Sequence, residues 1–163
     1  MKRFFLTVVC ACAFALMASA QEERKPSART HAAASSYMPD LAELMTITQL
    51  RHLKLVYAAE ASNWALANYE AGLVRKSLHA AAEFYPVFQN VPQGELIADV
   101  SDPALKEIDR SISARDRPAL EKSLKDLTDA CNSCHQQARI AFIVIRIPTS
   151  SPFSNQVFPP QRK

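Results

Sequence analysis

Only two glycines, Gly72 and Gly94, occur in 163 residues, while alanine and leucine are abundant. Sheets built on tight turns need residues that tolerate positive φ, and this chain nearly lacks them. The expected fold class is therefore all-α, and the apolar residues recur at helical spacing. Leu41, Met45, Thr48, His52, Leu55 and Ala59 follow one another at steps of three and four, predicting a first helix from Pro39–Asp40 to about Ala61. A second seam runs from Trp64 through Ala71 and Leu78 to Tyr85, with Asn63 as its cap and Pro86 as its stop. The stretch PVFQNVPQGELIADVS reads as an irregular crossover rich in breakers.

Asp102-Pro103 is a capping residue followed by a proline suited to a first helical turn, which predicts a short third helix through Leu105, Ile108 and Ile112. Asp116 and Pro118 repeat that signal for a fourth helix. Its seam reads Leu120, Leu124, Leu127, Cys131, Cys134, Ala138, Ala141 and Ile145, a register that turns both cysteines toward the core. Four helices with such seams and short connections predict an antiparallel four-helix bundle.

The amino terminus bounds the compartment. Lys2 and Arg3, the apolar run FFLTVVCACAFALM and the small residues ASA before Gln21 have the order of an export signal, with cleavage expected after Ala20. The alternative of a membrane anchor requires about 20 apolar residues, more than this run supplies. Lipoprotein processing at Cys10 or Cys12 is a weaker rival, because Val-Val and Cys-Ala precede a lipidated cysteine poorly. The expected organisation is a signal peptide at 1–20, a flexible leader at 21–38 that carries His31, a four-helix domain at 39–147 and a C-terminal arm at 148–163.

With 19 Lys and Arg against 16 Asp and Glu, and with Lys2 and Arg3 leaving in the signal, the mature chain is close to neutral. It has no basic run to suggest a nucleic-acid partner. It has no pair of carboxylates or nucleophile constellation to suggest hydrolysis. Once Cys10 and Cys12 are removed, the remaining cysteines are Cys131 and Cys134.

These two lie in CNSCHQQAR, Cys131 to Arg139, where four readings compete. A structural zinc site needs four ligands, normally from a second cysteine knuckle, and none is present. A redox dithiol of thioredoxin type needs its first cysteine at a helix amino terminus after a strand, whereas this pair falls inside a predicted helix. A structural disulfide closing so short a loop would add little stability. Covalent haem explains every residue: two thioether tethers one helical turn apart, and an adjacent His135 held where its imidazole can coordinate iron.

With C-x-x-C-H on the last helix of an exported helical chain, the sequence resembles the class II c-type cytochromes of the cytochrome c′ type over roughly Pro39 to Arg146. RHLKLVYAAEASNWALANYE also looks like a segment of exported bacterial cytochromes of this kind. The resemblance implies one covalently attached haem c, Cys131 and Cys134 as tethers and His135 as proximal axial ligand. Arg139 fills the position four residues after the histidine where the family commonly has a basic residue; read from the residues alone, it is equally a solvated helix position. The long tail IAFIVIRIPTSSPFSNQVFPPQRK departs from the family, and its four prolines forbid a continuing helix, so an extended Pro-rich arm is expected.

Members of the family come with or without a protein ligand on the distal side of the iron. The distal candidates here are Met45, where low-spin members place a methionine, and His52, two turns further along the same seam. For each the plainer alternative is core packing, with His52 hydrogen-bonded or facing a propionate beside Arg51. Arg51, Leu127 and Arg139 complete the expected haem pocket. The activity expected is periplasmic electron transfer with redox partner proteins, rather than catalysis. The alternatives are a five-coordinate haem protein that binds nitric oxide or carbon monoxide, and a non-haem bundle with a Cys131–Cys134 disulfide. A homodimer is left open, and neither nucleic acid nor an integral membrane anchor is expected.

Overall fold

A computed structural model describes residues 37–161. The expected signal peptide, His31 and all of the leader except Tyr37 and Met38 lie outside the described residues. The fold is all-helical: α1 spans Leu41–Glu60, α2 Trp64–Phe84, α3 Gln93–Leu96, α4 Asp102–Ala114 and α5 Arg117–Gln137. Among the described residues there is no strand, only an isolated bridge between Phe88 and Val91.

The caps explain where the helices begin. Asp40 accepts from the Glu43 amide at 2.7 Å while the Glu43 carboxylate accepts from the Asp40 amide at 3.1 Å, a reciprocal box that satisfies two otherwise unpaired donors. Asn63 caps α2 through the Leu66 amide, and Asp116 caps α5 through the Ala119 amide, as the sequence predicts. With glycine so scarce, the chain leaves its helices through other residues in the left-handed region. Ser62 after α1, Arg115 after α4 and Arg139 after α5 have φ of 52°, 53° and 60°.

Two expectations are corrected. The crossover before α4 is not irregular throughout, because α3 passes through a π-helical turn, Ile97–Ser101, straight into α4. The N-cap position falls on Ser101 rather than Asp102, and Ser101 is already helical and makes no side-chain capping bond. Pro103 has no amide hydrogen and its ring crowds the preceding turn, so the backbone widens there, the Asp102 amide reaching back to the Ile97 carbonyl. The Asp102 carboxylate instead pairs with His79 Nε2 at 3.0 Å.

The second correction concerns the last helix, which stops at Gln137 rather than continuing to Ile145. Arg139 turns left-handed, and the Arg139 and Ile140 amides bond back to the Gln136 and His135 carbonyls at 3.1 and 2.9 Å. Ala141 and Ile145 therefore leave the seam.

The four long helices close a ring of contacts, α1 on α2, α2 on α4, α4 on α5 and α5 on α1. Ala58, Ala59, Ala67 and Ala71 are wholly buried, and their small side chains let α1 and α2 approach closely. Leu55, Leu105, Ile108, Leu120 and Leu127 are also closed to solvent, each contributing roughly 1.5–3 kcal/mol of burial. Polar links cross the α1–α2 interface: the Thr48 and Ser77 hydroxyls are hydrogen-bonded at 2.7 Å, and Arg51 reaches the buried Glu70 carboxylate at 3.4 Å.

Beyond α5, Phe158 is buried against the Tyr57 ring of α1 at 5.3 Å, and its carbonyl accepts from Asn63 Nδ2 at 2.8 Å. Lys54 Nζ lies 5.1 Å above the Phe153 ring. Among the described residues, no helix is long and apolar enough to cross a membrane.

Candidate functional site

Cys131, Cys134 and His135 occupy the last two turns of α5, all three half-buried. The thiols are unbridged and one turn apart, so they project from the same side of the helix. Burial, with the charge of Cys134 added, pushes the Cys131 thiol up to about 11, and burial also raises Cys134. Both are therefore protonated near neutrality, the opposite of the low-pKa thiolate on which dithiol redox catalysis relies.

His135 is oriented by the chain that follows it. Its Nδ1 lies 2.8 Å from the Ile143 carbonyl oxygen. A carbonyl only accepts, so Nδ1 carries the hydrogen, and in the neutral ring Nε2 keeps its lone pair for a metal. The returning segment is held by Asn132, whose Nδ2 donates to the Ile145 carbonyl at 2.9 Å and whose Oδ1 accepts from the Ile145 amide at 2.8 Å.

His52 is buried in the interface of α1 with α5, with Nε2 2.9 Å from Thr128 Oγ1. The Thr128 hydroxyl spends its one hydrogen on the Leu124 carbonyl at 2.8 Å. It must therefore accept from His52, which fixes the Nε2–H tautomer and commits that nitrogen to α5. Burial lowers the His52 pKa to about 4, so the ring is neutral at ordinary pH. Beside it lies a cavity of about 250 Å³ between Gln49, His52 and Leu53 of α1 and the segment from Val144 to Ser150, with Arg146 in its wall.

The remaining sequence candidates are dispersed. Met45 is half-buried against the core, two turns before His52 on α1. Leu127 is entirely buried. Arg51 turns to Glu70 at the α1–α2 interface, away from the side on which His52 meets α5. Arg139 is exposed in its left-handed turn, and since the helix has ended, the i to i+4 relation to His135 no longer holds. Sequence reasoning passed over Asn132, Thr128 and Glu70. Asn132 carried a faint signal, as an asparagine inside a helix is disfavoured unless its side chain has another use.

No family model, curated protein or solved structure matches this chain. Among the described residues, no group of three or more His, Cys, Asp or Glu side chains is gathered to hold a bare metal ion. What this end of α5 presents is two thiols one turn apart and an imidazole whose Nε2 lone pair is free. The cavity beside His52 is smaller than the 300–1,000 Å³ usual for pockets that enclose a ligand, and Cys131, Cys134 and His135 are not among the residues that line it.

Proposed function

We propose that this protein is an exported monohaem c-type cytochrome, an antiparallel four-helix bundle that carries electrons in the periplasm. The observation that supports this best is the His135 geometry: Nδ1 is engaged with the Ile143 carbonyl, and Nε2 is left with its lone pair in the same helical end as two protonated, unbridged thiols. The antiparallel reading is supported by pairings that run in opposite senses, Thr48 with Ser77 and Arg51 with Glu70 on α1 and α2, and Arg75 with Asp109 and His79 with Asp102 on α2 and α4. The segment from residue 148 onward acts as a Pro-rich arm along α1.

When bound, haem supplies a redox-active iron. The chain's own part is to tether the group through Cys131 and Cys134 and to present the His135 Nε2 lone pair. Among the distal candidates, Met45 is favoured, because using His52 Nε2 requires breaking its bond to Thr128. Partners are redox proteins of the same compartment, and neither nucleic acid nor a membrane anchor belongs to this reading.

The experiment is expression of the mature chain in a host competent for cytochrome maturation, followed by acid–acetone extraction. Colour should stay with the polypeptide and be lost from a Cys131→Ala/Cys134→Ala variant. A colourless wild type joined by a Cys131–Cys134 disulfide refutes the proposal. The commitment of His52 also favours a second reading, a five-coordinate haem protein that binds nitric oxide or carbon monoxide. If Met45 ligates, the ferrous protein resists carbon monoxide and Met45→Ala binds it readily; rapid uptake by the wild type selects the gas-binding reading.

A further inference from the structure

The segment that returns from α5 is held in an unusual way. Its apolar side chains face outward: Phe142 is 82%, Val144 71%, Ile143 43% and Ile147 37% exposed. Side-chain burial therefore does little to keep residues 142–147 in place. What fixes them to α5 is polar and local: the two bonds from the Asn132 amide to the Ile145 backbone, and the one from His135 Nδ1 to the Ile143 carbonyl.

The geometry of Asn132 is self-specifying. Its oxygen meets an N–H and its nitrogen meets a C=O, so flipping the amide would set donor against donor and acceptor against acceptor. Asn132 and His135 stand three residues apart, on one face of the last turns of α5. Ile143 and Ile145 are likewise two residues apart on a returning strand of chain, so the two contacts form one hairpin-like clasp. Both contacts join α5 to its own continuation, eight and thirteen residues away.

We infer that Asn132 is a positioning residue for the iron-binding imidazole: by clasping Ile145 it holds the Ile143 carbonyl against His135 Nδ1 and so fixes which nitrogen is free to coordinate. The residue usually treated as a spacer between the two cysteines thereby sets the orientation and basicity of the proximal ligand. An acceptor on Nδ1 gives the ring partial imidazolate character and strengthens Nε2 as a donor, which stabilises ferric over ferrous iron. This consequence for iron rests on the haem reading above, whereas the tautomer of His135 does not.

The test uses the full mature protein with ¹⁵N-labelled histidine, comparing wild type, Asn132→Ala and Ile145→Pro. Ile145→Pro deletes the amide hydrogen that Asn132 accepts and lies outside every helix, so it keeps the test decisive if Asn132→Ala folds poorly. In the wild type, imidazole ¹⁵N spectra should show His135 protonated at Nδ1, with that hydrogen exchanging slowly with water. In both variants exchange should accelerate by about 10-fold or more, as the clasp opens locally. In the haem-loaded protein the reduction potential should rise in both variants, while haem content by pyridine haemochrome stays at wild-type level. A protected Nδ1–H and an unchanged potential in folded Asn132→Ala or Ile145→Pro overturn the inference. Absence of covalent haem from the wild type, read by the same haemochrome assay, overturns the cytochrome reading instead and leaves the exchange measurement to judge the clasp.

Discussion

Acid should destabilise this protein through one buried ring. His52 is 4% exposed, and burial holds its pKa at about 4, against an ordinary value of 6.5. The unfolded chain takes up a proton on this imidazole as pH falls through about 6.5, whereas the folded chain refuses it until about 4. Between those values the unfolded state binds more protons, so stability is fully present above pH 6.5 and is lost progressively as pH falls toward 4. The loss accumulates to about 3 kcal/mol, at a slope approaching ~1.4 kcal/mol per pH unit. The assay is urea unfolding from pH 7.5 to pH 4 on the wild type and on His52→Gln, which keeps an N–H donor for Thr128 but cannot titrate. Carboxylates and the exposed His79–Asp102 pair are common to both proteins and drop out of the difference. The two stability curves should converge by about 3 kcal/mol over that range; parallel curves refute the argument that His52 is buried neutral.

Other expectations follow from the same packing. Arg51→Met strands the Glu70 carboxylate in the interior and should cost about 3–5 kcal/mol in urea unfolding at neutral pH, while a further Glu70→Met change should recover most of it. Arg115 ends α4 with φ 53°, so Arg115→Gly should raise stability by about 0.5–1 kcal/mol, visible as a higher urea midpoint. In the chain with free thiols, Cys131 should react with iodoacetamide at pH 8 about 100-fold more slowly than an open cysteine, because its pKa is about 11 rather than 9; equal rates in mass spectrometry would show that the thiol is not buried.

Much of this molecule is written locally. Apolar residues at steps of three and four, caps at Asp40, Asn63 and Asp116, and a stop at Pro86 are short-range signals, and the helices α1, α2 and α5 begin where those signals stand. C-x-x-C-H is equally local, and its spacing alone sets two thiols and an imidazole on one end of α5. What the sequence could not reveal depends on partners far along the chain, or on a balance between backbone conformations. Nothing near Pro103 says that the crossover will become a π-helical turn, because that choice weighs a missing amide against the packing of Ile97 and Ser101. Neighbouring Arg51 and His52 look like one polar pair in sequence, yet a helix turns successive residues by about 100°, so one meets Glu70 on α2 and the other meets Thr128, 76 residues away. The end of α5 is the sharpest case: no glycine or proline marks it, and the seam would continue to Ile145. The tertiary structure ends it at Gln137, where a left-handed Arg139 and three hydrogen bonds from Asn132 and His135 offer the returning backbone partners that a longer, solvent-exposed helix would not give it.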